Sequence, residues 1–179
     1  MIDLSLYKSE FDRGAPIWKE CLWQAIKCVF FMLPIPLPSQ IRRSLLRCFG
    51  ARIGKRVVLR ECIDITFPWR LTIGDNTWVG KGVALHNLDE IAIGKNCCIS
   101  QRAFLCSGSH DFRSDGFELI TKPIVIGDSC WIAANVFIAP GVQMGQGSMA
   151  IAGSVILNAV SAGTIVIGNP ATVRRKVEV

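Results

Sequence analysis

Closely spaced metal ligands are what this 179-residue sequence most clearly lacks. Its two histidines, His86 and His110, lie far apart. None of its eight cysteines (Cys21, Cys28, Cys48, Cys62, Cys97, Cys98, Cys106, Cys130) forms a C-x-x-C pair. Zinc signatures depend on such spacing, so no metal site is expected. Most of the cysteines have apolar neighbours, where a free thiol packs as a small hydrophobe, and this predicts a reducing compartment. Charge is sparse as well: 19% of residues are charged and 50% hydrophobic, which excludes a disordered chain and supplies a sizeable core. No apolar run is long enough to span a bilayer. Cys28–Leu37 is short and broken by Pro34 and Pro36, with Pro38 just beyond. The first residues mix acids and bases and lack the regions of a signal peptide, so the expected location is the cytoplasm.

What is present divides in two, a helical segment over residues 1–50 and a repeat over 51–179. In the first, Ile17-Trp18, Cys21-Leu22, Ala25-Ile26 and Val29-Phe30 recur at helical spacing and predict a helix from Pro16 to Phe31. Three prolines end it. Ser39 is placed to cap a second, basic helix through Arg42, Arg43 and Arg47 to Gly50. Trp18, Trp23 and Phe30 beside lysines and arginines fit a membrane surface, which for a cytoplasmic protein is the inner face of the cell membrane. They also fit a cap that buries the same aromatics, and the cap is the commoner arrangement. The net charge of +6 suits an anionic partner. The basic residues form no stripe with interleaved aromatics beyond these helices, so nucleic acid is not expected.

From Ile53 a repeat runs to the end. An apolar residue followed by glycine appears at Ile53-Gly54, Ile73-Gly74, Ile93-Gly94, Ile126-Gly127 and Met144-Gly145. Two steps of six from each reach Leu59 and Ile65, Val79 and Leu85, Ile99 and Leu105, Ile132 and Ile138, Ala150 and Ile156. All fifteen positions are apolar. Six residues make one short strand and one tight corner, and three such units close a triangular coil whose neighbours stack at about 4.8 Å. Glycines and the Asn-type residues Asp75-Asn76, Lys95-Asn96 and Asp128 are placed to serve the corners, where a positive φ is often needed. The starts are 20, 20, 33 and 18 residues apart against an ideal of 18. Two extra residues therefore fall near Phe67-Pro68-Trp69, two near His86–Asp89, and fifteen in Leu105–Ile126. The pattern predicts an all-β solenoid, a parallel β-helix of about five coils with one protruding loop.

These repeats resemble those of the hexapeptide-repeat acyltransferases, which implies a left-handed coil. Ser107–Asp111, Pro123–Asp128, Trp131-Ile132, Pro140-Gly141-Val142 and Gly168-Asn169-Pro170-Ala171 are similar to the maltose, galactoside and nodulation sugar O-acetyltransferases. The N-terminal Pro-Leu-Pro segment, Leu45–Ile53 and Phe67-Pro68-Trp69-Arg70 look more like the colanic acid biosynthesis acetyltransferases. The resemblance covers nearly the whole chain. It implies an acetyl-CoA-dependent O-acetyltransferase acting on a sugar or exopolysaccharide precursor, working as a homotrimer with its sites between subunits.

Acetyl transfer to a hydroxyl requires a base, and a neutral imidazole suits that task at cellular pH. His110, on the protruding loop, is the expected catalytic residue. It takes the acceptor's proton during direct attack on the thioester and returns it to the leaving thiol, with Cys106 nearby as a covalent route to exclude. His86 fits an ordinary corner. Asn87 matches a position that meets the acceptor in the resembling enzymes, although asparagine is also a common turn residue. Asp111 either orients His110 or binds a hydroxyl. By resemblance, Trp131 and Ala134 line the thioester arm, Ala152 and Gly153 offer backbone contacts, and Asn169, Arg174 and Arg175 meet the nucleotide end. Thr172 stands where several relatives carry a further arginine. Trp69 and Trp78 fit either sugar stacking or packing. Alternative readings are N-acetylation of an amino sugar or antibiotic, and a non-catalytic scaffold; an intact His110 loop argues against the scaffold.

Overall fold

A computed structural model describes residues 2–8 and 11–176. The repeat region is a parallel β-solenoid with three sheets, one per side of a triangular prism. The first sheet stacks Arg52–Ile53, Leu71–Ile73, Ile91–Ile93, Ile124–Ile126 and Gln143–Met144. The second runs from Val58–Leu59 through Trp78–Val79, Cys98–Ile99, Trp131–Ile132 and Met149–Ala150 to Thr164–Gly168. The third stacks Asp64–Ile65, Ala84–His86, Phe104–Cys106, Phe137–Ile138 and Val155–Ile156. The coil count exceeds the expected five. A partial sixth coil is formed by Val160, which bridges to Met144, and by Thr164–Gly168, against which Ala171–Lys176 folds back antiparallel.

The step-six pattern is the core. All fifteen positions are buried, and they align in register as three ladders, such as Ile53, Ile73, Ile93, Ile126 and Met144. Burying each Ile or Leu contributes about 1.5–3 kcal/mol, so the ladders dominate the stability of the prism. Small donors follow the corner between the first two sheets, where Thr77, Cys97 and Cys130 give hydrogen bonds to the carbonyls of Gly94, Gly127 and Gly145 at 2.7, 3.1 and 3.1 Å.

The corner glycines act differently from expectation. Gly74 does not have a positive φ; a Cβ there would stand 2.5 Å from the Lys95 nitrogen in the next coil, so glycine is required by close approach. Positive φ falls two residues later, at Asn76 (59°), Asn96 (57°) and, in place of Asp128, at Ser129 (58°). Asp128 instead accepts from the Lys95 backbone N–H of the preceding coil at 2.9 Å, as Asp75 does from Lys55 at 2.6 Å.

The N-terminal residues form α1 (Ile17–Lys27), continued by a π-helical turn over Cys28–Met32, and α2 (Ser39–Cys48). Together they cap the first coil. Trp23 is fully buried against Phe31 and Phe49, and its indole N–H donates to the Ile65 carbonyl at 3.0 Å. Ser39 does not cap α2 as expected, because Pro38 holds the cap position. Its hydroxyl instead accepts from the Leu59 N–H and lies 3.2 Å from the Leu59 carbonyl, fastening the helix to the first coil. Arg42 is buried and donates to the carbonyls of Phe30, Ile35, Leu37 and Leu59, so one guanidinium closes the whole proline-rich link.

Candidate active site

The fifteen-residue excursion is a β-hairpin. Gly108–His110 pairs antiparallel with Leu119–Thr121, setting His110 opposite Leu119. Its base is pinned by Ser107, a buried residue whose hydroxyl donates to the His86 carbonyl at 3.0 Å and accepts from the Asp89 N–H at 2.8 Å. A Cβ at Gly108 would come within 2.7 Å of the end of the Leu88 side chain, so the hairpin base packs closely on the second coil. Two of the three interruptions of the repeat, His86–Asp89 and 107–121, are thus joined through one serine. The sequence pattern predicts both interruptions but carries no sign of that link.

His110 is held from two sides. Its ring stacks on Phe117 with centroids 4.4 Å apart and planes 1° from parallel, and its Nδ1 lies 2.8 Å from the Phe117 carbonyl. A carbonyl can only accept, so Nδ1 carries the proton and Nε2 is left with its lone pair. Phe117 is one of few non-glycine residues in the left-handed region (φ 50°), a conformation that costs on the order of 1 kcal/mol and turns its carbonyl toward the imidazole. Tyr7, from the N-terminal segment, also approaches His110, with ring centroids 6.0 Å apart and planes tilted by 58°. That segment is tied down where Asp3 N–H meets the Asp115 carbonyl and where the Trp69 indole donates to the Arg13 carbonyl. A groove of about 450 Å³ opens beside it between Leu6, Tyr7, Lys8 and Phe11 and the hairpin residues Glu118, Leu119 and Thr121. Sequence reasoning missed Phe117 and Tyr7. Neither belongs to the repeat, and their positions depend on how the hairpin folds.

Several expected site residues have other work. Asn87 is fully buried: its oxygen accepts from the Thr66 and Phe67 N–H groups at 3.1 and 2.9 Å, and its amide donates to the Phe67 carbonyl. With both polar ends engaged within the chain, it shapes the adjoining corner. Asp111 does not orient His110, whose Nδ1 is already taken; its carboxylate accepts from the Arg113 N–H at 3.0 Å and caps the hairpin turn. The Cys106 thiol donates to the Gly108 carbonyl at 3.1 Å. His86 lies 3.3 Å from the Thr66 hydroxyl, and burial pushes its pKa below the usual imidazole value, offset in part by Asp64 and reinforced by Lys27. Trp69 is engaged in packing against Phe67, while Trp78 is largely exposed on the second sheet.

Of the residues expected at the cofactor, Ala134, Ala152, Gly153 and Asn169 follow a different edge of the prism, while Arg175 lies opposite Ile165 on the last strand. Ala134 and Gly153 occupy equivalent corners of successive coils, joined by the Gly153 N–H and the Ala134 carbonyl at 2.9 Å, and the space beyond Gly153 is open. Ala152 is exposed beside them, and Trp131 projects from the adjoining second sheet with its indole N–H on the Ser100 hydroxyl at 3.0 Å. Asn169 sits in the turn before the final strand, where Arg174 and Arg175 are exposed. This corner lies between the second and third sheets, whereas the His110 hairpin leaves between the third and the first. Among the described residues, no group of three or more potential metal ligands occurs.

No family model matches the chain. It is 46% identical over 164 residues to the Escherichia coli K12 protein named "Putative colanic acid biosynthesis acetyltransferase WcaF", covering 92% of this chain and 90% of that one. The galactoside O-acetyltransferase of the same organism is 27% identical over 146 residues, covering 78% and 71%. The crystal structure of a hexapeptide-repeat acetyltransferase from Vibrio cholerae, VCA0836 complexed with acetyl-CoA, superposes with a TM-score of 0.84 at 28% identity, covering 98% of this chain and 97% of that one. A prism of stacked six-residue repeats, together with identity of that extent over nearly the whole chain, places the chain in the family of hexapeptide-repeat acetyltransferases.

Proposed function

We propose that the protein transfers the acetyl group of acetyl-CoA to a hydroxyl of a sugar or exopolysaccharide precursor, with His110 as general base. The observation that carries this reading is the tautomer. With Nδ1–H committed to the Phe117 carbonyl, Nε2 is the free basic atom on a ring held rigid by stacking. His110 removes the acceptor proton as the oxygen attacks, then holds it and delivers it to the departing sulfur. Such a base contributes typically about 10²–10⁴-fold. The Cys106 thiol, spent on the Gly108 carbonyl, supports direct transfer without an acyl-enzyme.

Acetyl-CoA supplies an activated acetyl group on a thioester, and the open corner fits a narrow arm. Ala134, Ala152 and Gly153 leave the backbone accessible, Trp131 gives an apolar wall, and Asn169, Arg174 and Arg175 suit phosphates at the far end. Asn87 and Asp111, tied up in their own corners, serve the acceptor only by positioning the backbone around it. Because the corner and the His110 hairpin belong to different edges of one prism, a complete site takes one half from each of two copies, which supports a homotrimer. Eight free cysteines are consistent with the cytoplasm, and no described helix is long and apolar enough to cross a membrane.

The test is thiol release from acetyl-CoA against a panel of nucleotide sugars and oligosaccharides, comparing the native protein with His110→Ala. The variant is expected to lose roughly a hundredfold or more in kcat with acetyl-CoA binding retained. Equal rates would sink the general-base reading, and analysis of the product separates O- from N-acetylation.

A further inference from the structure

Helix α1 is inverted relative to an ordinary surface helix. Its three charged residues turn toward the body: Lys19 lies over the Trp69 ring, Glu20 pairs with Arg13, and Lys27 pairs with Asp64 at 2.7 Å. The face left to solvent carries Ile17, Trp18, Leu22, Val29, Met32 and Leu33, each 42–74% exposed, and no exposed position between 17 and 33 bears a charge. The aromatics of this segment divide between the two sides, since Trp23 and Phe31 are buried while Trp18 faces solvent. A contiguous apolar face of this kind on a folded protein marks an interaction surface.

Charge decides what covers it. Residues 14–70, which form the helices and the first coil, hold ten basic residues and three acidic, a net of +7. The other 122 residues hold ten basic and eleven acidic, so the whole-chain value of +6 is generated at this one end of the solenoid. A second copy docked here would bring two strongly basic ends together, whereas an anionic lipid surface complements both the charge and the apolar stripe. At 1.5 Å per residue the stripe is about 24 Å long, short of the roughly 30 Å of a bilayer core, so it would lie along the surface. Trp18, an amphipathic ring at the edge of the stripe, suits the headgroup level. We propose that α1 docks this protein flat on an anionic bilayer, independently of how the acetyl-transfer reading fares.

The experiment is flotation of the full-length protein with vesicles of phosphatidylglycerol and phosphatidylethanolamine in equal parts, and with phosphatidylcholine vesicles as comparison. The native protein should float with the anionic vesicles at least roughly tenfold more than with the neutral ones, and high salt should weaken the binding. Trp18→Glu/Leu22→Glu/Val29→Glu, all at exposed positions, should abolish flotation while keeping a cooperative thermal transition. If that variant does not melt cooperatively, Leu22→Glu alone serves, with at least a severalfold loss expected. Native protein that stays with the buffer overturns the proposal. So does equal flotation of native and variant, or a native oligomer without lipid binding that the substitutions dissociate, which would assign the face to a second copy.

Discussion

The Nδ1 of His110 and the carbonyl of Phe117 lie 2.8 Å apart, and the two rings are stacked with their planes 1° from parallel. One residue therefore fixes both the proton and the orientation of the imidazole. Phe117 holds the left-handed conformation that aims its carbonyl, and the turn around it is closed by the Asp111 carboxylate on Arg113 and by the Phe117 N–H on the Ser114 carbonyl.

Phe117→Gly separates positioning from folding. Glycine adopts the positive φ freely, recovering about 1 kcal/mol of strain, while loss of the stacked ring costs about 0.5–1.5 kcal/mol. The melting temperature should hardly move, yet kcat should fall roughly tenfold as the imidazole gains freedom. A purely structural role would lower stability and leave the kcat of the folded fraction intact.

His86 gives the fold a pH dependence whose sign is fixed. Its pKa is held below the usual 6.5, so on acidification through that value the unfolded chain takes up a proton before the folded one does. Stability should therefore be full above about pH 7 and decline as pH falls from 6.5 towards the depressed folded value, then stop changing on this account. Melting curves between neutral and mildly acidic pH should show a shallower decline for His86→Gln than for the native chain.

Arg42→Met tests the buried guanidinium. The substitution keeps apolar volume but removes donors from the carbonyls of Phe30, Ile35, Leu37 and Leu59. Leaving these unpaired should cost about 3 kcal/mol, read as a lower denaturant midpoint. The loss should concentrate in the helical cap, so hydrogen exchange should rise over residues 28–48 before it rises in the coils.

Gly74→Ala probes the coil stacking. Its methyl would meet the Lys95 nitrogen at 2.5 Å and the Gly94 carbonyl carbon at 2.6 Å, both backbone atoms that move only with a whole coil. A loss of about 2–3 kcal/mol is expected from thermal melts. At Gly153, where nothing lies within 4 Å, the same change meets only the strain of its 74° φ and should cost about 1 kcal/mol.

The sequence by itself determined the solenoid. Its side chains repeat every six residues because each strand-and-corner unit has the same geometry, and that local rule locates all fifteen buried ladder positions, both small interruptions and the long one. It also singled out His110, the histidine on the segment that breaks the rhythm. What it left open depends on contacts between segments far apart in the chain. Only the tertiary structure shows that Asn87 turns inward to the Thr66–Phe67 corner, that Phe117 and not Asp111 holds His110, and that Ser107 ties the hairpin to coil two. The helix followed the same division. Its period was legible in the spacing of Trp18, Leu22 and Val29, but which face met the body was decided by partners on the first coil. Trp23 found the Ile65 carbonyl and Lys27 found Asp64, and these contacts turned the apolar stripe outward.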